Sequence, residues 1–187
     1  MKILFLNIDG VLNSGDNLQV AYELWKIRNP GKEHTEDISP DVIYDGIYMD
    51  KYGEKFDARA VKWLEFILAM SDAKVVLISP WRNNRNVSQM WKERNLPGEI
   101  HSMTPAINEE KPSVEIGAWL NENKEIESFV ILDAFEKYPD ALSDRLIILD
   151  KNYGLNMQGS LTALNVLKQK YNPEPNTQID LGIGEMD

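Results

Sequence analysis

The sequence predicts a doubly wound α/β fold, in which helices cover both faces of a parallel sheet. Four short apolar runs lack the polar alternation of half-exposed strands, which indicates strands that are buried on both faces. Helical patterns lie between these runs, and this alternation is typical of Rossmann-like architectures. The runs are residues 3–6, 75–78, 129–132 and 146–149.

Three segments show the spacing of amphipathic helices, in which every third or fourth side chain faces the core. Asp57 is a suitable N-cap for the first, and the others follow Pro112-Ser113 and Gly159-Ser160. Their apolar positions are Val61, Leu64, Ile67 and Leu68; Ile116, Trp119 and Leu120; and Leu161, Leu164, Val166 and Leu167.

Residues 13–55 do not follow the strand and helix rhythm, and we interpret them as a small cap or long loop inserted after the first strand. Turn signals and aromatic residues, among them Tyr44, Tyr48 and Tyr52, occur throughout it. The aromatic residues either select the substrate or anchor the loop to the core. The remainder of residues 1–171 forms one domain, and residues 172–187 read as an acidic, flexible tail.

Composition restricts the class of protein. The formal net charge of −10 argues against a broad nonspecific nucleic-acid surface, although a local basic groove that includes Arg82, Arg85, Lys92 and Arg94 stays possible. The absence of cysteine excludes disulfides and thiolate chemistry. The short apolar run at the N-terminus predicts neither a signal peptide nor a membrane segment, so we expect a cytoplasmic protein with no membrane partner.

Polar residues follow each apolar run, where the strands of a parallel sheet open onto a common crevice. Asn7 and Asp9 are two residues apart, so their side chains point to the same side of an extended backbone. Ser79 and Asp133 end the second and third runs. Gly10 lets the chain turn away without a side chain in the crevice.

Four motifs in this order resemble those of the haloacid dehalogenase (HAD) phosphohydrolases. A serine followed by Trp-Arg, and a Tyr-Gly-Leu after the last strand, resemble the small branch associated with RNA-repair proteins. The resemblance covers most of residues 1–167 but misses the insertion and the tail. The matching segments are Asn7-Ile8-Asp9-Gly10-Val11, Val76-Leu77-Ile78-Ser79 with Pro80-Trp81-Arg82, Lys111, Ile131-Leu132-Asp133, and Tyr153-Gly154-Leu155.

The resemblance implies phosphoryl transfer through an aspartyl-phosphate intermediate. Position 7 would be the nucleophile, and Asp9 would act as general acid and then as general base. Ser79 and Lys111 would hold the phosphoryl oxygens.

The resemblance also implies a Mg²⁺ ion, bound by position 7, the Asp9 carbonyl and Asp133. Gly10 and Arg82 would lie against the substrate.

Structural roles are the alternative for several of these residues. Ser79 could cap a turn beside Pro80, and Asp133 could cap the turn after its strand. Arg82 could bind a substrate phosphate or pair with an acidic residue on the surface. Asp150 reads as a turn aspartate before Lys151-Asn152.

Two positions depart from the family pattern. Asn7 replaces the nucleophilic aspartate, and because an amide cannot act as a carboxylate nucleophile, the chain as written should be catalytically impaired. Asn7 is either an engineered change or a natural inactivation, and the retention of the other motif residues favours the former. Ala134 stands where relatives often carry an aspartate, and Glu136 is a candidate to compensate in the metal shell.

The leading prediction is therefore a Mg²⁺-dependent phosphatase for a small phosphorylated substrate or a nucleic-acid terminal phosphate. The alternatives are a non-catalytic HAD-fold module that binds a phosphorylated ligand or partner, and a nucleic-acid end-processing phosphatase. The insertion is expected to decide which ester is accepted. The sequence does not predict an oligomeric state.

Overall fold

A computed structural model of the chain describes residues 1–31, 49–84, 86–107, 112–135 and 140–172. Its strands are β1 (Lys2–Leu6), β2 (Met49–Asp50), β3 (Gly53–Glu54), β4 (Lys74–Leu77), β5 (Ile100–Met103), β6 (Ser128–Asp133) and β7 (Leu146–Ile148). Its helices are α1 (Gly15–Arg28), α2 (Ala58–Ser71), α3 (Trp81–Asn84), α4 (Val87–Glu93), α5 (Pro112–Glu122), α6 (Asp140–Ser143) and α7 (Met157–Leu167).

Five of the strands form a parallel sheet in the order β5-β4-β1-β6-β7. Leu6 of β1 lies in register with Leu77 of β4 on one side and Leu132 of β6 on the other. The chain runs outward from β1 through β4 to β5 and then crosses to β6 and β7. The direction of winding thus reverses between β1 and β6, which is where ligands bind in open α/β sheets.

Alternate side chains of β1 enter two separate cores, one on each face of the sheet. Leu4 and Leu6 belong to the core beneath α2 and α7, whereas Ile3 and Phe5 belong to the core beneath α5. All four side chains are fully buried, and burying each such side chain contributes about 1.5–3 kcal/mol. The predicted doubly wound parallel sheet is confirmed.

The four predicted strands and three predicted helices form, with small shifts at their ends. Asp57 caps α2 as predicted, since its side chain accepts a hydrogen bond from the Arg59 N–H. The last helix begins earlier than predicted, at Met157, because Asn156 is its N-cap. Gly159 and Ser160 therefore lie inside its first turn.

The predicted insertion has regular structure at both ends. It begins with α1, which sequence reasoning did not predict and which Ser14 caps through a hydrogen bond from the Asn17 N–H. It ends with the antiparallel hairpin formed by β2 and β3. Tyr52 packs against the core, whereas Tyr44 and Tyr48 lie outside the described residues. The tail from residue 173 also lies outside them.

Membrane-spanning segments were searched for in the described helices. None of them combines the length and the hydropathy that crossing a bilayer requires.

Candidate active site

The carboxyl ends of β1 and β6 bring Asn7 and Asp133 into direct contact. The Asn7 Nδ2 donates a 2.7 Å hydrogen bond to Asp133 Oδ1, and the Asn7 Oδ1 accepts one of 2.8 Å from the Ile8 N–H. The two polar side chains are only 5% and 2% exposed. A buried carboxylate is costly unless it is hydrogen-bonded, so the amide stabilises Asp133 in this position.

The main chain completes the environment of Asp133. The N–H groups of Ala134 and Phe135 donate to its Oδ1 at 2.7 and 3.3 Å. These bonds are the turn-capping role considered for Asp133, and they also fix its carboxylate toward position 7. The structural and functional interpretations of this residue are therefore compatible.

The contact between residues 7 and 133 tests whether a cation fits. A carboxylate at position 7 would face the Asp133 carboxylate where the 2.7 Å bond now lies, and such groups repel unless a proton or cation separates them. Two carboxylates and a backbone carbonyl are suitable ligands for Mg²⁺. An aspartate at position 7 would therefore complete a donor set that suits Mg²⁺. With Asn7, the Asp133 oxygen that would face the ion accepts a hydrogen bond from the amide.

No three His, Asp or Glu side chains in the described part of the chain come together as a metal-binding group. The predicted donor set accordingly depends on position 7 and on the Asp9 carbonyl as well as on Asp133. Glu136, the candidate replacement for a carboxylate at position 134, lies outside the described residues.

Asp9 is half-buried, and Ile8, which lies between it and Asn7 in the sequence, enters the core. The indole Nε1–H of Trp81 donates to both Asp9 carboxylate oxygens, each at 3.0 Å. The Trp81 backbone N–H in turn points at Ser79 Oγ at 3.4 Å. The ends of β1 and β4 are thus joined through one tryptophan.

Ser79 is fully buried, and its hydroxyl lies at the start of α3. The turn-capping role considered for it is therefore present. A role in holding a phosphoryl oxygen stays a prediction, as does that of Lys111, which lies outside the described residues.

Gly10 permits the loop after β1 to approach the loop after β6. Its φ is +77°, which L side chains rarely adopt, and a Cβ at this position would lie 2.4 Å from the Ala134 Cβ. The side chain at position 134 therefore packs against Gly10. The structure gives Gly10 a steric role, and its contact with substrate stays a prediction.

Arg82 forms a buried ion pair. Its guanidinium donates to a Glu115 carboxylate oxygen and, at 2.7 Å, to the Ile78 carbonyl, and the side chains of the pair are 4% and 1% exposed. Glu115 also accepts from the Ile107 N–H at 3.0 Å. Of the two roles considered for Arg82, the geometry favours pairing with an acid, but the partner is buried and does not lie on the surface as expected. The pair links the segment after Ser79 to α5, the helix that follows Lys111.

The loop after β7 closes the other side of the first motif. Asp150 accepts from the Asn152 N–H at 2.8 Å, as expected for a turn aspartate. Gly154 has a φ of +67°, and a Cβ there would lie 2.8 Å from the Val11 carbonyl oxygen. The Leu155 N–H donates to that same oxygen at 2.8 Å. Gly154 and Leu155 therefore pack against the first motif, whereas Tyr153 is largely exposed.

Sequence reasoning missed the roles of Trp81 and Glu115. Trp81 is 72 residues from Asp9 and Glu115 is 33 residues from Arg82, so no local pattern connects the partners. The sequence feature that could have indicated Trp81 is its position two residues after Ser79. The feature that could have indicated Glu115 is its place among the apolar residues of α5.

Comparison with known proteins agrees with this fold. The family model for the HAD domain in Swiss Army Knife RNA repair proteins matches residues 3–159. Searches of curated proteins and of solved structures give no match. The matched segment extends from β1 into α7 and includes every residue of the predicted site. The chain therefore belongs to the HAD domain family of Swiss Army Knife RNA repair proteins.

Proposed function

We propose that this domain is a phosphomonoester hydrolase that uses an aspartyl-phosphate intermediate, and that Asn7 occupies its nucleophile position. Family membership supports a phosphatase-type fold. The observation that carries the proposal is the contact between Asn7 and Asp133 at the place where the winding of the sheet reverses, with Asp9 two residues after Asn7. The chain as written retains the site but lacks the carboxylate that attacks phosphorus.

The proposed reaction has two steps. In the first, a carboxylate oxygen at position 7 bonds to phosphorus, the ester P–O bond breaks, and Asp9 gives its proton to the leaving oxygen. In the second, water bonds to phosphorus as Asp9 takes its proton, and the bond from phosphorus to position 7 breaks. Inorganic phosphate leaves, and Asp9 is again protonated.

The electrostatic environment of the substrate would come from residues on several elements. Position 7, Asp133 and the Asp9 carbonyl would hold Mg²⁺, which offsets the repulsion between carboxylates and phosphate. Ser79 and Lys111 are proposed to donate hydrogen bonds to the phosphoryl oxygens. These donors would be most useful where the transferring group carries its charge.

The direct test is Asn7→Asp. Hydrolysis of 4-nitrophenyl phosphate in Mg²⁺ should rise by several orders of magnitude, because an essential nucleophile is restored. Asn7→Ala is the matched control, since it removes the amide without supplying a carboxylate. It should stay as inactive as the chain as written.

A second control separates this site from contaminating phosphatase. Asn7→Asp combined with Asp133→Ala should lose the gained activity, because a ligand of the proposed metal is gone. The proposal fails if Asn7→Asp shows no activity with any phosphomonoester tested, or if the double variant is as active as Asn7→Asp.

One observation favours a second candidate, a non-catalytic module that binds a phosphorylated ligand. Both polar groups of the Asn7 side chain are used, so the site is internally satisfied with an amide at position 7. Calorimetry of the chain as written with inorganic phosphate would test this candidate. Binding that Ser79→Ala weakens, together with inactive Asn7→Asp, would support it.

The family description makes a nucleic-acid terminal phosphate a proposed substrate. Two arginines that could have lined a basic groove are unavailable, since Arg82 pairs with Glu115 and Arg94 pairs with Asp50. Arg85 lies outside the described residues, and Lys92 is exposed. A panel of 3′- and 5′-phosphorylated oligonucleotides and phosphorylated metabolites, assayed on Asn7→Asp, would identify the class of ester.

A further inference from the structure

We propose that Trp81 is a positioning residue for the general acid, and that its indole N–H holds the Asp9 carboxyl group so that the Asp9 proton is directed to the leaving oxygen. The inference rests on the proposed function, in which Asp9 protonates the leaving group. It concerns a residue that the two-step scheme does not use.

The geometry of the contact fixes the Asp9 side chain. A single indole N–H points between the two carboxylate oxygens, with Nε1 at 3.0 Å from each. A donor shared equally in this way restrains rotation of the carboxyl group, because turning it would lengthen one of the bonds. The tryptophan is only 6% exposed, so the donor side of the contact is shielded from water.

The indole can only donate a hydrogen bond to Asp9, and this decides where the Asp9 proton can go. The indole nitrogen carries a proton and has no lone pair that accepts one, so it donates but never accepts. When Asp9 is protonated, the oxygen without the proton stays bonded to the indole, and the proton is left for another acceptor. A histidine or carboxylate in the same place could instead accept the proton from Asp9.

The indole is itself held in place by aromatic and charged neighbours. The Phe56 ring meets it edge-on, with ring centroids 5.4 Å apart, and the Arg94 guanidinium lies 4.8 Å from the Phe56 centroid. Arg94 is fixed by two hydrogen bonds to the Asp50 carboxylate, of 2.9 and 2.7 Å. The β2–β3 hairpin that ends the insertion is thus connected to Asp9 through packed side chains.

A positioning role predicts that the effect depends on the leaving group. A stable leaving anion departs without a proton, whereas a basic alkoxide needs one as the P–O bond breaks. If Trp81 aims the Asp9 proton, its loss should slow poor leaving groups selectively. Disturbed packing would slow all substrates alike.

The experiment uses Trp81→Phe in the Asn7→Asp protein, since phenylalanine keeps an aromatic ring and removes the N–H. We expect kcat/KM to fall about tenfold or more for phenyl phosphate and less than about twofold for 2,4-dinitrophenyl phosphate. The tenfold fall is a part of the ~10²–10⁴-fold that general acid catalysis contributes. The steeper leaving-group dependence should appear in kcat/KM, which reports the first step, because the aspartyl-phosphate intermediate hydrolysed in the second step is the same for every ester.

Trp119→Phe is the matched control. Trp119 is also buried, at 5% exposure, and its Nε1–H donates to Ser102 Oγ at 2.9 Å on the other face of the sheet. It should leave the leaving-group dependence unchanged. Equal slowing of all esters by Trp81→Phe, or the same steepening in Trp119→Phe, would overturn the inference.

A second measurement needs no activity. The five tryptophans give up to five indole N–H signals in the proton–nitrogen NMR spectrum, and the Trp81 signal is the one lost in Trp81→Phe. In the chain as written, Asp9→Asn should shift this signal and leave the Trp119 signal in place. An unmoved Trp81 signal would show that the bond to Asp9 is absent. Inactive Asn7→Asp with a shifted signal would instead refute the proposed function and the catalytic role of Trp81, while leaving the contact intact.

Discussion

Replacing Asn7 with aspartate should destabilise the protein when no divalent cation is present, although the two side chains are nearly the same size. The Asn7 Nδ2 donates to Asp133 Oδ1 at 2.7 Å in a buried site. Asn7→Asp replaces this donor with a second carboxylate. Two unit charges about 4 Å apart repel by about 4 kcal/mol at an effective dielectric constant of 20.

Proton uptake limits this cost. If one carboxyl group of the variant takes up a proton, its O–H can donate where the amide did, and holding that proton at pH 7 costs about 4 kcal/mol for a carboxyl of ordinary acidity. We therefore expect Asn7→Asp to lower the free energy of unfolding by about 2–4 kcal/mol without Mg²⁺, in line with breaking a hydrogen bond to a charged group. At about 2–4 °C per kcal/mol, the melting temperature should fall by about 4–16 °C.

Magnesium should then stabilise the variant selectively. At a Mg²⁺ concentration 100 times the dissociation constant, binding to the folded state alone adds about 2.7 kcal/mol. Urea unfolding, followed by tryptophan fluorescence with EDTA and with Mg²⁺, measures both effects. The chain as written should respond much less, because the amide already satisfies Asp133.

The exchanged pair provides the matched control. Asn7→Asp with Asp133→Asn restores one amide facing one carboxylate, so much of the lost stability should return without Mg²⁺. The reasoning is wrong if Asn7→Asp is as stable as the chain as written in EDTA. It is also wrong if Mg²⁺ stabilises both proteins equally.

Two further predictions concern buried charges. Glu115→Ala should lower the free energy of unfolding in urea by about 3–5 kcal/mol, because Arg82 stays buried without its partner. Exposed Glu122→Ala on the same helix should change it by less than about 0.5 kcal/mol, and equal effects would contradict a buried pair. Burial disfavours the charged forms of Asp50 and Asp57. Hydrogen bonds from a neighbouring arginine side chain and from a backbone N–H, together with the arginine charge, outweigh it and hold the pKa of each carboxyl below its ordinary value. The two carboxylates contribute fully to stability above the unfolded-state pKa near 3.9, and this contribution is lost as the pH falls through the folded-state pKa. The double variant Asp50→Asn/Asp57→Asn should therefore lose less thermal stability than the chain as written below about pH 4. An unchanged slope would refute this.

The central strands were predictable because the sheet buries them on both faces. Residues 3–6 are fully buried, and such a strand appears in the sequence as an unbroken apolar run. β5 was missed because it is an edge strand whose side chains are half-buried or exposed. α1 was missed because only Trp25 among its residues is buried, so it lacks a strong apolar stripe.

The candidate site was also predictable from the sequence only in part. The contact between Asn7 and Asp133 could be expected because parallel strands end at one edge of the sheet. The same-side placement of Asn7 and Asp9, expected from the two-residue repeat of strands, stays a prediction. The partners of Arg82 and Asp9 could not be predicted in this way. Glu115 and Trp81 reach them through tertiary packing, over 33 and 72 residues of sequence.

Stability and catalysis make opposite demands on position 7. The amide uses both of its polar groups, with Nδ2 bonded to Asp133 and Oδ1 bonded to the Ile8 N–H. An alanine would remove the donor that stabilises the buried Asp133 carboxylate, and an aspartate would add a second charge beside it. Without a cation, we therefore expect asparagine to be the most stable of the three, whereas in the proposed reaction only an aspartate would supply the carboxylate that attacks phosphorus. Under the proposed mechanism, an inactive but well-folded site would follow from this geometry whether the asparagine is natural or engineered.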